Sequence, residues 1–189
     1  MFSNNGKPEV TSGGNFHGQI LAIISDNMAI CIHEIASISE RRINQVLDPQ
    51  WSGQKAFLAN DEGLESGLMI VQYVAAAVIA ELSLLSNPIS TTNIPVSMGK
   101  EDHVSMGATA SYRTFKASKL LSSVISSELI CSCQALDNIL EKPSESVGKI
   151  HNWLRSYVSK IDGDRSTTED TETIARILLT PEFIEIFRK

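Results

Sequence analysis

Little in this sequence is basic, aromatic or sulfur-bearing. Lysine and arginine number 16 against 22 acidic residues, a formal net charge of −6. Nucleic acids and anionic membrane surfaces are recognised through electropositive footprints, so neither is expected as a partner. Aromatic side chains make up 6 % of the chain, too few for a base-stacking platform. The cysteines, Cys31, Cys131 and Cys133, show no disulfide-framework spacing. Cys131 and Cys133 stand two apart on a helical pattern, where side chains diverge. All three are expected to be buried, reduced thiols. Residues 1–14 are polar, so no secretory leader is expected. The longest uncharged apolar run, residues 68–80, falls short of the ~20 residues that span a bilayer. A cytoplasmic location without a membrane span is expected.

The common catalytic constellations are missing too. There is no glycine-rich phosphate loop, no G-x-S-x-G elbow and no H-E-x-x-H pair. His33-Glu34 begins like the last of these, but Ser37 stands where its second histidine belongs. The histidines are far apart in sequence, and no metal site is expected.

What is present is helical periodicity. Over residues 19–47, Ile20, Ile23, Ile24, Met28, Cys31, Ile32, Ile35 and Ile38 recur at three- and four-residue steps. They predict a helix about 43 Å long, stopped by Asp48-Pro49 and Ser52-Gly53. A second helix is expected over 65–86. Its stretch 68–80 is apolar on every face, as in a helix surrounded by others. A third, over 101–140, places Val104, Ala108, Phe115, Leu120, Val124, Ile125, Leu129, Leu136 and Ile139 on its buried side. Ser122, Ser123, Ser126 and Ser127 share helical spacing there, as a polar or close-packing face. After Pro143, shorter amphipathic helices follow at 145–161 and 169–179, then a turn at 182–187. No segment alternates as a strand. The fold expected is all-α, an elongated bundle of long helices. Residues 1–15 form an exposed lead-in, 16–140 the long-helix core, and 141–189 shorter helices of the same domain. Five or six helices cannot cover residues 68–80 and also bury the other long helices, so self-association is expected.

Two loop-to-helix junctions concentrate polar chemistry: Gly13-Gly14-Asn15-Phe16-His17-Gly18 and Lys100-Glu101-Asp102-His103. Capping is one reading, with Asn15 as an N-cap and Glu101 and Asp102 beside a positive helix end. The other is a set of functional groups held on a rigid scaffold.

These residues also carry a resemblance. Gly14-Asn15-Phe16-His17-Gly18, Ser37-Ile38-Ser39-Glu40-Arg41-Arg42-Ile43, Ala56-Phe57-Leu58, Ser66-Gly67-Leu68-Met69-Ile70-Val71-Gln72 and Ile94-Pro95 follow in the order seen in the aromatic amino acid lyase family. Glu101-Asp102-His103-Val104-Ser105-Met106-Gly107 resembles its histidine ammonia-lyase branch. Cys133-Gln134-Ala135-Leu136-Asp137 and Asp164-Arg165 are similar to its C-terminal region. The resemblance covers nearly this whole chain but only the C-terminal part of the family's subunit.

The resemblance implies a helical lyase fold, assembled as dimers or tetramers through long helices. It implies elimination of ammonia from an amino acid, giving urocanate when the substrate is histidine. The family's electrophile is a methylidene-imidazolone made from an Ala-Ser-Gly triad, and no Ala-Ser-Gly occurs here. That group is therefore expected from an N-terminal part, either cut away from this chain or supplied by a separate lyase chain. By position, Phe16 lies beside the prosthetic group and Glu101 contacts substrate as the catalytic residue, in a site shared between subunits. A carboxylate at the Glu101 position suits a histidine lyase, because an imidazole N–H wants an anionic acceptor. Lys100 departs from the glutamine that usually precedes this glutamate. Two readings follow: a C-terminal lyase part that is inactive alone, or a catalytically inactive helical assembly or binding module.

Overall fold

The computed structural model describes residues 2–4, 6–9 and 13–186. The lead-in, where no strand is expected, holds a two-stranded antiparallel hairpin, β1 (Phe2–Asn4) and β2 (Lys7–Glu9). Gly6, at φ 76°, provides the left-handed position that a tight hairpin turn needs. Residues 1, 5 and 10–12 of that lead-in lie outside the described residues, as does residue 187 of the predicted final turn.

The other regular elements among the described residues are helices, joined by irregular segments. Helix α1 (Gln19–Leu47) starts and stops as its periodicity predicts. Its N-cap is Gly18, at φ 64°, and not Asn15, whose carbonyl instead accepts the Gly18 N–H. Asp48 ends α1 and caps the short α2 (Pro49–Ser52), accepting the Gln50 N–H at 2.8 Å, and Gly53 closes that turn in the left-handed region. Helix α3 (Met69–Leu85) begins later than expected, because the Ser66 and Gly67 N–H groups donate to Asp164. Helix α4 (Gly107–Leu136) is shorter than 101–140 at both ends. Residues Val96 and Glu101 pair as an isolated bridge, and Met106 turns at φ 54° before the helix. At its far end the side chain of Asp137 turns to His151 (2.7 Å) and Arg155 (2.5 Å). Helix α5 (Glu145–Arg155) stops before 161, and α6 (Thr168–Leu178) and α7 (Pro181–Glu185) follow.

The buried faces differ most from expectation. The isoleucines that define the period of α1 lie largely outward, Ile20, Ile23, Ile24, Ile35 and Ile38 among them. Its inward face is small and polar: Ala22, Asp26, Ala29, Ala36, Ser39 and Glu40, then Ile43 and Leu47. Helix α4, its main partner, answers with Ala110, Thr114, Ala117 and Val124, while Ala108, Phe115 and Ile139 are exposed. Small facing residues let two helix axes approach closely. The contact is pinned by Thr114 Oγ1 on the Ser25 carbonyl (2.6 Å) and by Ser39 Oγ on Glu128 (2.6 Å). Of the serine face, Ser122, Ser126 and Ser127 are buried, and Ser126 reaches the Thr171 carbonyl on α6. Leu154, Val158, Ile161 and Ile174 join the same buried cluster as the long helices.

Helix α3 is not surrounded by other helices within this chain: Val71 and Ala75 are buried, but Ile70, Tyr73 and Val74 are exposed. Helix α1 is also long and apolar enough, by length and composition, to cross a membrane, its mean hydropathy reaching 1.4 over one window. An uncharged-run criterion passes over it because Asp26 and Glu34 interrupt the run. Here its buried Asp26 and Glu40 and its packing on α4 and α3 make it a bundle helix.

Candidate functional site

The segment from 86 to 106 leaves α3 and returns to α4, and polar anchors tie it to the start of α1. Asp26, buried in α1, accepts the Ile89 and Ser90 N–H groups at 3.0 and 2.8 Å. Gln19 donates to the Ser90 carbonyl at 3.3 Å. Asn93 braces the segment internally, accepting the Val104 N–H (2.9 Å) and donating to the Asp102 carbonyl (3.3 Å). Between these anchors, Ser97, Met98 and Gly99 are all left-handed, at φ 53°, 54° and 77°. For the two non-glycine residues that conformation costs about 1–2 kcal/mol each. The tight turn they make lets Val96 and Glu101 exchange backbone hydrogen bonds of 3.0 and 3.3 Å, which fixes where Glu101 leaves the chain.

Glu101 therefore does not cap a helix. Its Oε2 lies 3.2 Å from His17 Nε2, an ion-pair distance without hydrogen-bond alignment, and its Oε1 lies 3.4 Å from the Ser97 hydroxyl. The His17 and Glu101 side chains are 25 % and 35 % exposed. Phe16 stands edge-on to the His17 ring, centroids 5.0 Å apart, and is itself 82 % exposed. The His17 carbonyl accepts the Ser105 hydroxyl at 2.6 Å, and His103 Nε2 lies 2.9 Å from Gln19 Oε1. The two junctions, more than eighty residues apart in sequence, thus form one cluster in which His17 links Phe16 to Glu101. Lys100 is exposed beside it.

Sequence reasoning singled out Phe16 and Glu101 but left His17, Ser97 and Ser105 out of the site. The signal for His17 was available, since each junction carries an ionisable group complementary to the other. Two cavities lie elsewhere. One of about 660 Å³ is lined by Leu136, Pro143 and His151, and one of about 550 Å³ by Gly67, Ser127 and Thr171. Neither touches Phe16 or Glu101. Among the described residues no three histidine, cysteine or carboxylate side chains are grouped to hold a metal ion.

The cysteines correct one expectation and qualify another. Cys31 is exposed, because it shares the outward face of α1. Burial, with the Glu128 charge adding to it, pushes the Cys131 thiol up to about 12. Burial also raises Cys133, to about 11, against the opposing pull of Arg155. Neither is poised as a thiolate nucleophile.

The sequence of residues 2–156 matches the family model for aromatic amino acid lyases. The chain belongs to the aromatic amino acid lyase family. It is 40 % identical over 177 residues to a histidine ammonia-lyase of Symbiobacterium thermophilum, covering 93 % of this chain and 35 % of that protein. Its fold superposes on the crystal structure of histidine ammonia-lyase from Trypanosoma cruzi with a TM-score of 0.91 and 34 % identity, covering 97 % of this chain and 37 % of that one. A tyrosine aminomutase from Streptomyces globisporus matches with a TM-score of 0.89 and 30 % identity, covering 98 % and 35 %. The chain spans about a third of the length of the curated relatives it matches.

Proposed function

We propose that this chain is the C-terminal part of a histidine ammonia-lyase-like enzyme, which eliminates ammonia from L-histidine to leave urocanate, and that it needs an N-terminal part to act. The observation that carries this reading is the convergence of Phe16, His17 and Glu101 on one exposed cluster. A buried Phe16 or a capping Glu101 would have argued for a structural role. The prosthetic group implied by the family, methylidene-imidazolone, would supply the electron sink for loss of the amino group. This chain has no Ala-Ser-Gly from which to make it. The residues present fit a place beside such a group: the Phe16 ring is an exposed apolar wall. Glu101 accepts the N–H of a substrate imidazole, an interaction a phenyl ring cannot return. In this role the carboxylate orients the ring and moves a proton, which contributes about 10²–10⁴-fold and cannot replace the missing electron sink.

The outward isoleucines of α1 and the exposed face of α3 are the surfaces through which a second copy and the upstream part would dock, giving a dimer or tetramer. A cytoplasmic setting and an amino-acid substrate belong to the same reading. Histidine is preferred over tyrosine as substrate because the cluster presents a carboxylate and an imidazole. Lys100, in place of the glutamine usual in the family, leaves room for a second reading, a catalytically inactive assembly or binding module. The test follows urocanate absorbance with histidine. The chain alone is expected to give no turnover, and mixing it with a separately expressed upstream fragment bearing Ala-Ser-Gly is expected to give turnover that Glu101→Ala abolishes. Turnover by the chain alone would overturn the reading, and a stable but silent complex would favour the module.

A further inference from the structure

We infer that His17 is a positioning residue for Glu101, setting the direction in which its carboxylate meets a substrate. The inference deepens the reading of Glu101 as substrate-facing and rests on it. A glutamate side chain has three rotatable bonds, and this one, 35 % exposed, is held at Oε1, among the described residues, only by a 3.4 Å contact with the Ser97 hydroxyl. Such a carboxylate needs a second fixed point if it is to meet one N–H in one geometry. His17 is that point, because it is itself held twice: the Ser105 hydroxyl fixes its carbonyl at 2.6 Å, and the Phe16 ring stands edge-on at 5.0 Å.

The state of Nε2 carries the argument further. It is shut off from water, makes no aligned hydrogen bond, and lies 3.2 Å from Glu101 Oε2. A buried polar nitrogen left in that condition is rare in folded proteins. Contacts of this kind commonly tighten when a ligand closes a site. Here a small rotation of the glutamate aligns Oε2 with Nε2 and leaves Oε1, beside Ser97, for a substrate N–H. Because Phe16 and His17 are neighbours in the chain, the same rigid loop would place the apolar wall and aim the carboxylate.

The test reads the contact first without turnover, in the full chain labelled with ¹³C at glutamate carboxyls and ¹⁵N at histidine rings. Loss of one carboxyl resonance in Glu101→Gln assigns Glu101. His17→Ala is expected to move that resonance toward those of exposed glutamates. His17→Gln, whose side-chain amide offers an N–H near the same place, should leave it near its original position. Reciprocally, the His17 ring nitrogens should shift in Glu101→Gln, a variant that removes no buried group and keeps the test open should His17→Ala not fold. Unmoved resonances in either direction, or equal movement in the alanine and glutamine variants, would sink the inference. In the complex reconstituted with the upstream part, His17→Ala should lower kcat/KM for histidine by up to about 100-fold, the scale of a misplaced reacting group. His17→Gln should restore most of it. An unchanged kcat/KM in His17→Ala overturns the role. Should the wild-type mixture give no turnover, the proposed function fails while the resonance shifts still decide the His17 contact.

Discussion

Removing the Asp26 carboxylate should uncouple the segment that carries Glu101 from α1, and structure gives the size of the effect. Asp26 is 5 % exposed, and its Oδ2 accepts the N–H groups of Ile89 and Ser90. Hydrogen bonds to a charged partner contribute about 1.5–3 kcal/mol each, and two on one oxygen do not add fully. Asp26→Ala, which leaves both donors unpaired, should therefore cost about 3–4 kcal/mol. Asp26→Asn keeps a carbonyl acceptor and loses only the charge, and should cost about 1–2 kcal/mol. Burial works against the Asp26 charge, but the Ser90 hydroxyl and N–H, the Ile89 N–H and nearby Arg113 outweigh it and hold the carboxyl below its usual 3.8. A depressed folded-state value means the stabilisation is complete above the unfolded value and is lost as pH falls through the folded one. The gap between wild type and Asp26→Asn should thus be full near neutrality and close progressively below about pH 4. Urea unfolding followed by far-UV circular dichroism, in a pH series, measures it. A gap that is the same at neutral and acid pH, or absent at both, would refute the reasoning.

Three further outcomes are expected. Gly67 is left-handed at φ 54°, and an added Cβ would meet the Phe57 carbonyl oxygen at 2.5 Å, so Gly67→Ala should cost about 3 kcal/mol or more. Gly53→Ala, left-handed at φ 67° with nothing within 4 Å, should cost about 1 kcal/mol in the same denaturation assay, and equal costs would contradict the clash. A thiol reagent at neutral pH should label Cys31 and spare Cys131 and Cys133, and Cys31 labelling should slow as chain concentration rises if the α1 face self-associates, with sedimentation as the independent check. Phe16→Ala should leave the unfolding free energy within about 0.5 kcal/mol of wild type, since an exposed ring contributes little, yet reduce turnover of the reconstituted complex.

Helix positions were readable in the sequence where a local rule decides them. Asp48-Pro49 stops α1 because proline at the first turn of α2 and the Asp48 cap act within a few residues. Which face of a helix is buried is decided by its partners, and there reasoning from apolar period alone misled. The isoleucines of α1 recur with a helical period, but within this chain α4 takes the alanine and serine face instead. The start of α4 was missed because Glu101 and Asp102 look like first-turn residues, while the left-handed turn at Ser97 and Met98 draws Glu101 into a bridge with Val96. Phe16 and Glu101 were legible as candidates through their motifs. Their meeting through His17 was not, because that depends on long-range bonds such as Ser105 to His17.

Helix α1 ends up with two sides that answer to different selection. On the inner side the small buried positions leave no spare room, so a gain of even one or two carbons at Ala29 or Ala36 would strain the packing of α1 on its neighbours. On the outer side the isoleucines touch little of their own chain and have no such limit. Mutations would therefore sort cleanly: inner ones would be felt as folding defects by a single copy, and outer ones only by copies that meet. A lineage could thus lose or rewire its quaternary partners while the fold of each copy stayed intact.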